Sequence, residues 1–177
     1  MPFAVLQGMR IELGKQLGVM QALNARLLDL QDRSRVVVKA TEQGKRHYDP
    51  NFDKDFAHLR MELRTVTVKT TDFEHFADRA GKVLENLPDI YEAVGATKNL
   101  YMVAKNFKLE TDNFVSTLAV AKNLFRKMPV TVYWWELEQS STELVRVIAQ
   151  IMRFAKHMND LAAAKSPGGG QPQPEGQ

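Results

Sequence analysis

Apolar residues recur alternately three and four positions apart through nearly the whole of this 177-residue chain, and no charged side chain interrupts them. An α-helix turns once every 3.6 residues, so this spacing gathers one stripe on one helix face, and the stripe must be buried against a partner. The first stripe runs Leu6, Met9, Leu13, Gln16, Met20, Leu23, Leu27, Leu30, Ser34, Val37. The second runs Phe52, Phe56, Leu59, Leu63, Val66, Thr70, Phe73, Ala77, Ala80, Leu84, Leu87. A third follows as Ile90, Ala93, Thr97, Leu100, Ala104, Phe107, Thr111, Phe114, Leu118, Ala121, Phe125, Met128, and a fourth as Trp134, Leu137, Ser141, Leu144, Ile148, Ile151, Ala155, Met158, Ala162. A quarter of the chain is charged, so about ten charges would fall by chance on some forty such positions, and none does. The pattern predicts an all-α fold, an elongated antiparallel four-helix bundle with coiled-coil-like heptad packing.

The breaks between stripes carry stop and start signals. Gly44 and the polar run from Lys45 to Asp49 close the first helix. Asp49 is then expected to cap the second, with Pro50 at its first position and Asp53 and Asp55 complementing the positive end of its dipole. Pro88 predicts a turn in preference to a kink, because proline removes a backbone donor and disfavours helix in the residue before it. Pro129 ends the third helix. The β-branched and aromatic segment Val130–Trp135 has no partner strand, so it is read as a connector or as the start of the fourth helix. Ser140 and Glu143 form a capping-box pattern that would place that start later. Gly14 and Gly18, four apart, suggest a close helix approach. Residues 1–165 are thus read as one bundle domain and 166–177, rich in Gly, Pro and Gln, as a disordered tail.

Composition removes whole classes of chemistry. With no cysteine, thiolate zinc sites, iron–sulfur clusters, disulfides and cysteine nucleophiles are all excluded. The uncharged stretches reach only about ten residues, half of what a bilayer-spanning helix requires. The apolar start Pro2–Leu6 lacks a basic segment before it, so no secretory signal is expected and the cytoplasm is the default location. Net charge is +3, with 24 basic residues interspersed among 21 acidic ones, and the absence of a concentrated basic run argues against nucleic acid.

Candidate sites are few. Asp55-x-x-His58 and Asp72-x-x-His75 have a metal-ligand spacing, but they lie on one helix roughly 26 Å apart, and no carboxylate faces inward to complete a bundle metal site. Solvated helix-face pairs explain them better. His157 with Met158 is the nearest approach to a haem ligand pair, yet the eight methionines sit at helical spacing, as core filler does. No Gly-x-Ser-x-Gly elbow, phosphate loop or His-Glu-x-x-His occurs. No cofactor, no metal and no enzymatic activity are expected.

The surface is what remains. The third and fourth helices carry apolar residues beyond their stripes, among them Tyr101, Val115, Val147 and Phe154, which are assigned to self-association. If the helices alternate up and down, one end gathers Arg33, Arg35, Lys39, Lys45, Arg46 and Tyr48 with Lys122, Arg126, Lys127, Tyr133, Trp134 and Trp135. Aromatic rings among cations suit an acidic protein or an anionic membrane, whereas a simple hydrophobic plug is the plainer alternative. The sequence therefore predicts an interaction protein, in the manner of an adaptor, structural subunit or secretion-type chaperone, that binds a protein partner or itself as a homo-oligomer. A peripheral, curvature-associated membrane rod is the rival reading, and a helical sensor or cofactor carrier a third.

Overall fold

The computed structural model describes residues 2–165, so the Gly/Pro/Gln tail lies outside the described residues. Four long helices make up the molecule: α1 (Pro2–Glu42), α2 (Phe52–Leu84), α3 (Val94–Arg126) and α4 (Trp134–Lys165). At 1.5 Å per residue they are about 50–60 Å long. The stripes are the core. Every position of the α1 stripe is buried, including Gln16 and Ser34, and on the other helices only Ala80, Leu87, Met128 and Trp134 remain partly exposed while packing against it. No charged side chain is buried among the described residues.

Helix α1 packs against α2 and α3, and α4 packs against the same two. Asn24 of α1 donates to the Glu110 carbonyl of α3 at 2.8 Å, Arg26 pairs with Glu62 of α2, and Gly81 of α2 meets Phe154 of α4. Arg26–Glu62 with Arg33–Asp55 run α1 against α2, Arg60–Glu136 with Gly81–Phe154 run α2 along α4, and Thr97–Asn159 with Lys122–Glu138 run α3 against α4, so α1 is parallel to α3 and α2 to α4. The hairpins α1–α2 and α3–α4 are antiparallel, and the consecutive helices α2 and α3 face each other across the diagonal of the bundle. Their connection explains this. After Leu84 the chain turns through Pro88 and enters a short 3-10 turn, Ile90–Ala93, whose Ile90 and Ala93 are buried against α1, α3 and α4. Pro88 therefore makes a turn, and the turn itself seals one end of the core.

Local chemistry fixes the other boundaries, in places differently from the sequence reading. Gly44 takes φ +71°, a conformation open to glycine at little cost. Its N–H reaches the Thr41 carbonyl (3.0 Å) and that of Lys45 reaches Ala40 (2.8 Å), so α1 ends in a Schellman motif. Asp49 is not the cap of α2: Asn51 occupies that position, without a side-chain bond, and Pro50 lies in the turn before it. Val130–Tyr133 is a connector, and α4 begins at Trp134 rather than at a capping box near Ser140. Gly14 and Gly18 mark no close approach, since a Cβ on either would meet nothing within 4 Å. The close approach is at Gly81, where a Cβ would come within 2.9 Å of the Phe154 ring.

A basic, aromatic end as the candidate binding site

At the end opposite the 3-10 turn, the C-termini of α1 and α3, the N-termini of α2 and α4 and both of their connections converge. Phe52, Phe56 and Phe125 stack there, ring centroids 5.4–6.3 Å apart, and with Val132 they close the core. The plug is thus built from these four residues. Tyr133, Trp134 and Trp135 are left outside it as a second cluster, with Trp135 edge-on to Tyr133 (5.2 Å) and to Trp134 (6.0 Å). Tyr133 and Trp135 are nearly half exposed, and Tyr48 is 81% exposed.

The cations sort into three groups. Arg33 is wholly engaged inside the fold: its guanidinium donates to both oxygens of Asp49 (2.7 and 2.9 Å), to Asp55 (2.8 Å) and to Asp29 (3.2 Å), and it lies 5.7 Å from the Phe52 centroid. Those carboxylates hold its pKa far above the ordinary guanidinium value, and Arg33 in turn holds the Asp49 carboxyl below the usual range. Arg33 is a structural clamp that ties the α1–α2 connection to both helices. A second group lies against the rings: Arg126 at 4.6 Å and Lys122 at 5.9 Å from the Trp134 centroid, and Arg60 at 5.2 Å from Tyr133. Arg60 also reaches Glu136 (3.2 Å), and Lys122 reaches Glu138 (3.5 Å). Arg35, exposed, pairs with Asp32.

The third group consists of Lys39, Lys45, Arg46, Lys54 and Lys127, which have no carboxylate partner among the described residues. Residues 32–60 and 122–138 together hold ten Lys and Arg against seven Asp and Glu, so the entire +3 of the chain resides at this end. A cleft of about 210 Å³ between Asp53, Phe56, Ala57, Arg60 and the connector Thr131–Tyr133 opens beside the rings. Sequence reasoning placed Glu136 here only as an acid diluting the charge and missed Arg60, which belongs to a helix face outside the stripes and carries no motif. Their pairing depends on α2 lying parallel to α4.

The residues assigned to self-association do not share one surface. Val147 is only 1% exposed and is part of the core, because α4 packs against both α2 and α3 and needs a wider apolar face than one stripe. Phe154 packs over Gly81, and Tyr101 is partly buried against the core, leaving Val115 exposed. His58 pairs with Glu62 (2.9 Å), His75 lies 3.7 Å from Glu74, and His157 meets Glu85 (3.2 Å). Among the described residues no three His, Asp or Glu come together as a metal site. Among the described residues no helix is long and apolar enough to cross a membrane.

Fold and site together define a long-helix bundle with one basic, aromatic end. Comparison with known families, with curated proteins and with solved structures finds no match to the chain.

Proposed function

We propose that this chain is a non-enzymatic interaction protein, of the adaptor, structural-subunit or chaperone kind, and that its basic, aromatic end docks an acidic protein partner. The observation that carries the reading is the Tyr133–Trp134–Trp135 ring cluster with Arg60 and Arg126 against it, at the same end of the bundle as exposed Tyr48 and the cations without acid partners. Trp, Tyr and Arg are the residues in which binding energy concentrates at protein interfaces, since they bury large areas at low entropic cost and still offer polar contacts. The five unpaired cations add long-range attraction for an acidic surface.

A photo-crosslinking residue at Trp135, introduced in the native cell, should trap one predominant acidic protein, and Lys45→Glu with Arg46→Glu should abolish the adduct. Trapping no more than a probe at Lys98, near the opposite end, would overturn the reading. A peripheral membrane role has the same chemistry in its favour, because amphipathic rings beside lysines also fit a lipid headgroup layer. Salt-sensitive co-sedimentation with phosphatidylserine vesicles, lost in Trp135→Ala, would assign the end to a membrane instead.

A further inference from the structure

On α2 the face turned away from the core carries Met61, Val68, Phe76 and Val83, 45–65% exposed. Their intervals are seven, eight and seven residues, so they form one stripe of helical pitch, and the stripe is palindromic. Thr65, Asp72 and Arg79 fill the steps between them, with Lys69 on the flank. Lys69, Asp72 and Arg79 have no ion-pair partner among the described residues. Beside the stripe, where α2 passes the first turns of α1, an apolar groove of about 560 Å³ is lined by Ala4, Val5, Gly8, Met9, Phe73 and Phe76, with Glu12, Lys69 and Asp72 on its rim.

We propose that this α2 face is a homodimer seam on which two copies pack antiparallel about a two-fold axis at Asp72. The register follows from the palindrome. A two-fold through residue 72 sets Met61 opposite Val83 of the second copy, Val68 opposite Phe76, and Thr65 opposite Arg79, so every exposed apolar side chain of the stripe meets another. It also places the two Asp72 carboxylates at the centre, with Lys69 of each copy three residues from the axis. Lys69, which lacks a partner within one chain, thus comes within reach of the other copy's Asp72 and offsets the like charge at the axis. Phe76 borders the groove, so the apolar side chain that faces it from the second copy comes to rest at the groove mouth, over Gly8, where there is open space. From Met61 to Val83 the seam is about 33 Å long. At a width of about 20 Å for α2 with its flanking groove, it covers roughly 650 Å² per copy, close to the ~800 Å² per partner of a standard interface.

The chain has no cysteine, so a single introduced thiol reads the register directly. Only a residue at the axis lies close enough to its own copy for a disulfide, which needs Cα atoms within about 7 Å. Asp72→Cys in the full chain should form an oxidised dimer, while Asn113→Cys on the outer face of α3 should not. Sedimentation velocity should give a concentration-dependent dimer, weakened at least about tenfold by Phe76→Glu and equally by the more exposed Val83→Lys. Each variant is to be checked for unchanged helicity by circular dichroism. A monomer at high concentration, a dimer indifferent to Val83→Lys, or cross-linking through residue 113 in place of 72 would overturn the seam. Partner binding at the aromatic end is read separately, so neither result decides the other.

Discussion

Arg33 condenses the residue-scale logic of the molecule. It sits on the edge of the α1 stripe, where one guanidinium with five donors can satisfy carboxylates from α1, the connection and α2 at once. Asp49 gains most from this contact, and its folded pKa is accordingly depressed by the Arg33 hydrogen bonds. A depressed carboxylate contributes stability that is fully present above its unfolded pKa, about 3.9, and is lost as pH falls through the lower folded value. Asp49→Asn is expected to cost about 1 kcal/mol at neutral pH, a figure kept small because Asp55 and Asp29 still hold Arg33 and the cluster is partly solvated. Urea unfolding across pH 2–7 checks it: the gap between the two proteins should narrow progressively as pH falls below about 3.9, the unfolded carboxylate value. A gap independent of pH would mean that the pair is not what holds the connection.

At the scale of the helix, glycines separate two roles that a sequence cannot tell apart. Gly18 lies mid-helix with no neighbour near its Cβ position, so it costs helix propensity and gives nothing back in packing. Gly18→Ala should raise stability by about 0.5–1 kcal/mol, or roughly 1–4 °C in Tm for a chain of this size. Gly81 lies in the last turn of α2, and there the missing side chain makes room for Phe154. Gly81→Ala should therefore gain less than Gly18→Ala or lose stability outright, because the Phe154 ring must move. Differential scanning calorimetry of the two variants side by side tests the contrast, and equal gains would contradict the packing argument. The stripes themselves were legible element by element, since burial of an amphipathic helix follows from its period. The start of α2 was not, because Asp49 has a capping residue's chemistry but is held instead by Arg33, sixteen positions earlier in the chain.

Among the described residues the core is apolar except for a few hydroxyls and the amides of Gln16 and Gln31. Ser34, Thr111 and Ser141 donate back to carbonyls of their own helices at 2.8–3.1 Å, and Thr97 bonds both the Val94 carbonyl and Asn159 of α4. Thr70 is fully buried with its hydroxyl unpartnered, as is the amide oxygen of Gln16 on the adjacent helix. A buried polar atom without a bond is a standing cost, so Thr70→Val, which keeps the shape and removes the hydroxyl, should stabilise the bundle by about 1 kcal/mol. Chemical denaturation measures this, and a destabilisation of that size would show that the hydroxyl is satisfied in solution. The two ends of the rod differ in the same global way: one is sealed by the buried Ile90 turn, while the other carries all of the net charge and the exposed tyrosine and tryptophan rings.

By itself the sequence determined that the chain makes four amphipathic helices with an uncharged core and roughly where those helices break; that basic and aromatic residues gather at one end followed only on the condition that the helices alternate in direction. Period and turn chemistry are local properties, readable from neighbours in the chain. Only the tertiary structure decided that α2 and α3 lie across a diagonal, that Val147 and Phe154 serve the interior, and that Arg33 is a clamp while Lys39, Lys45, Arg46 and Lys127 stand free. Each of those depends on which helix lies beside which. An apolar residue outside the stripe is core if two neighbours flank its helix and surface if one does, and a cation is spent or available according to the carboxylates that packing brings within reach.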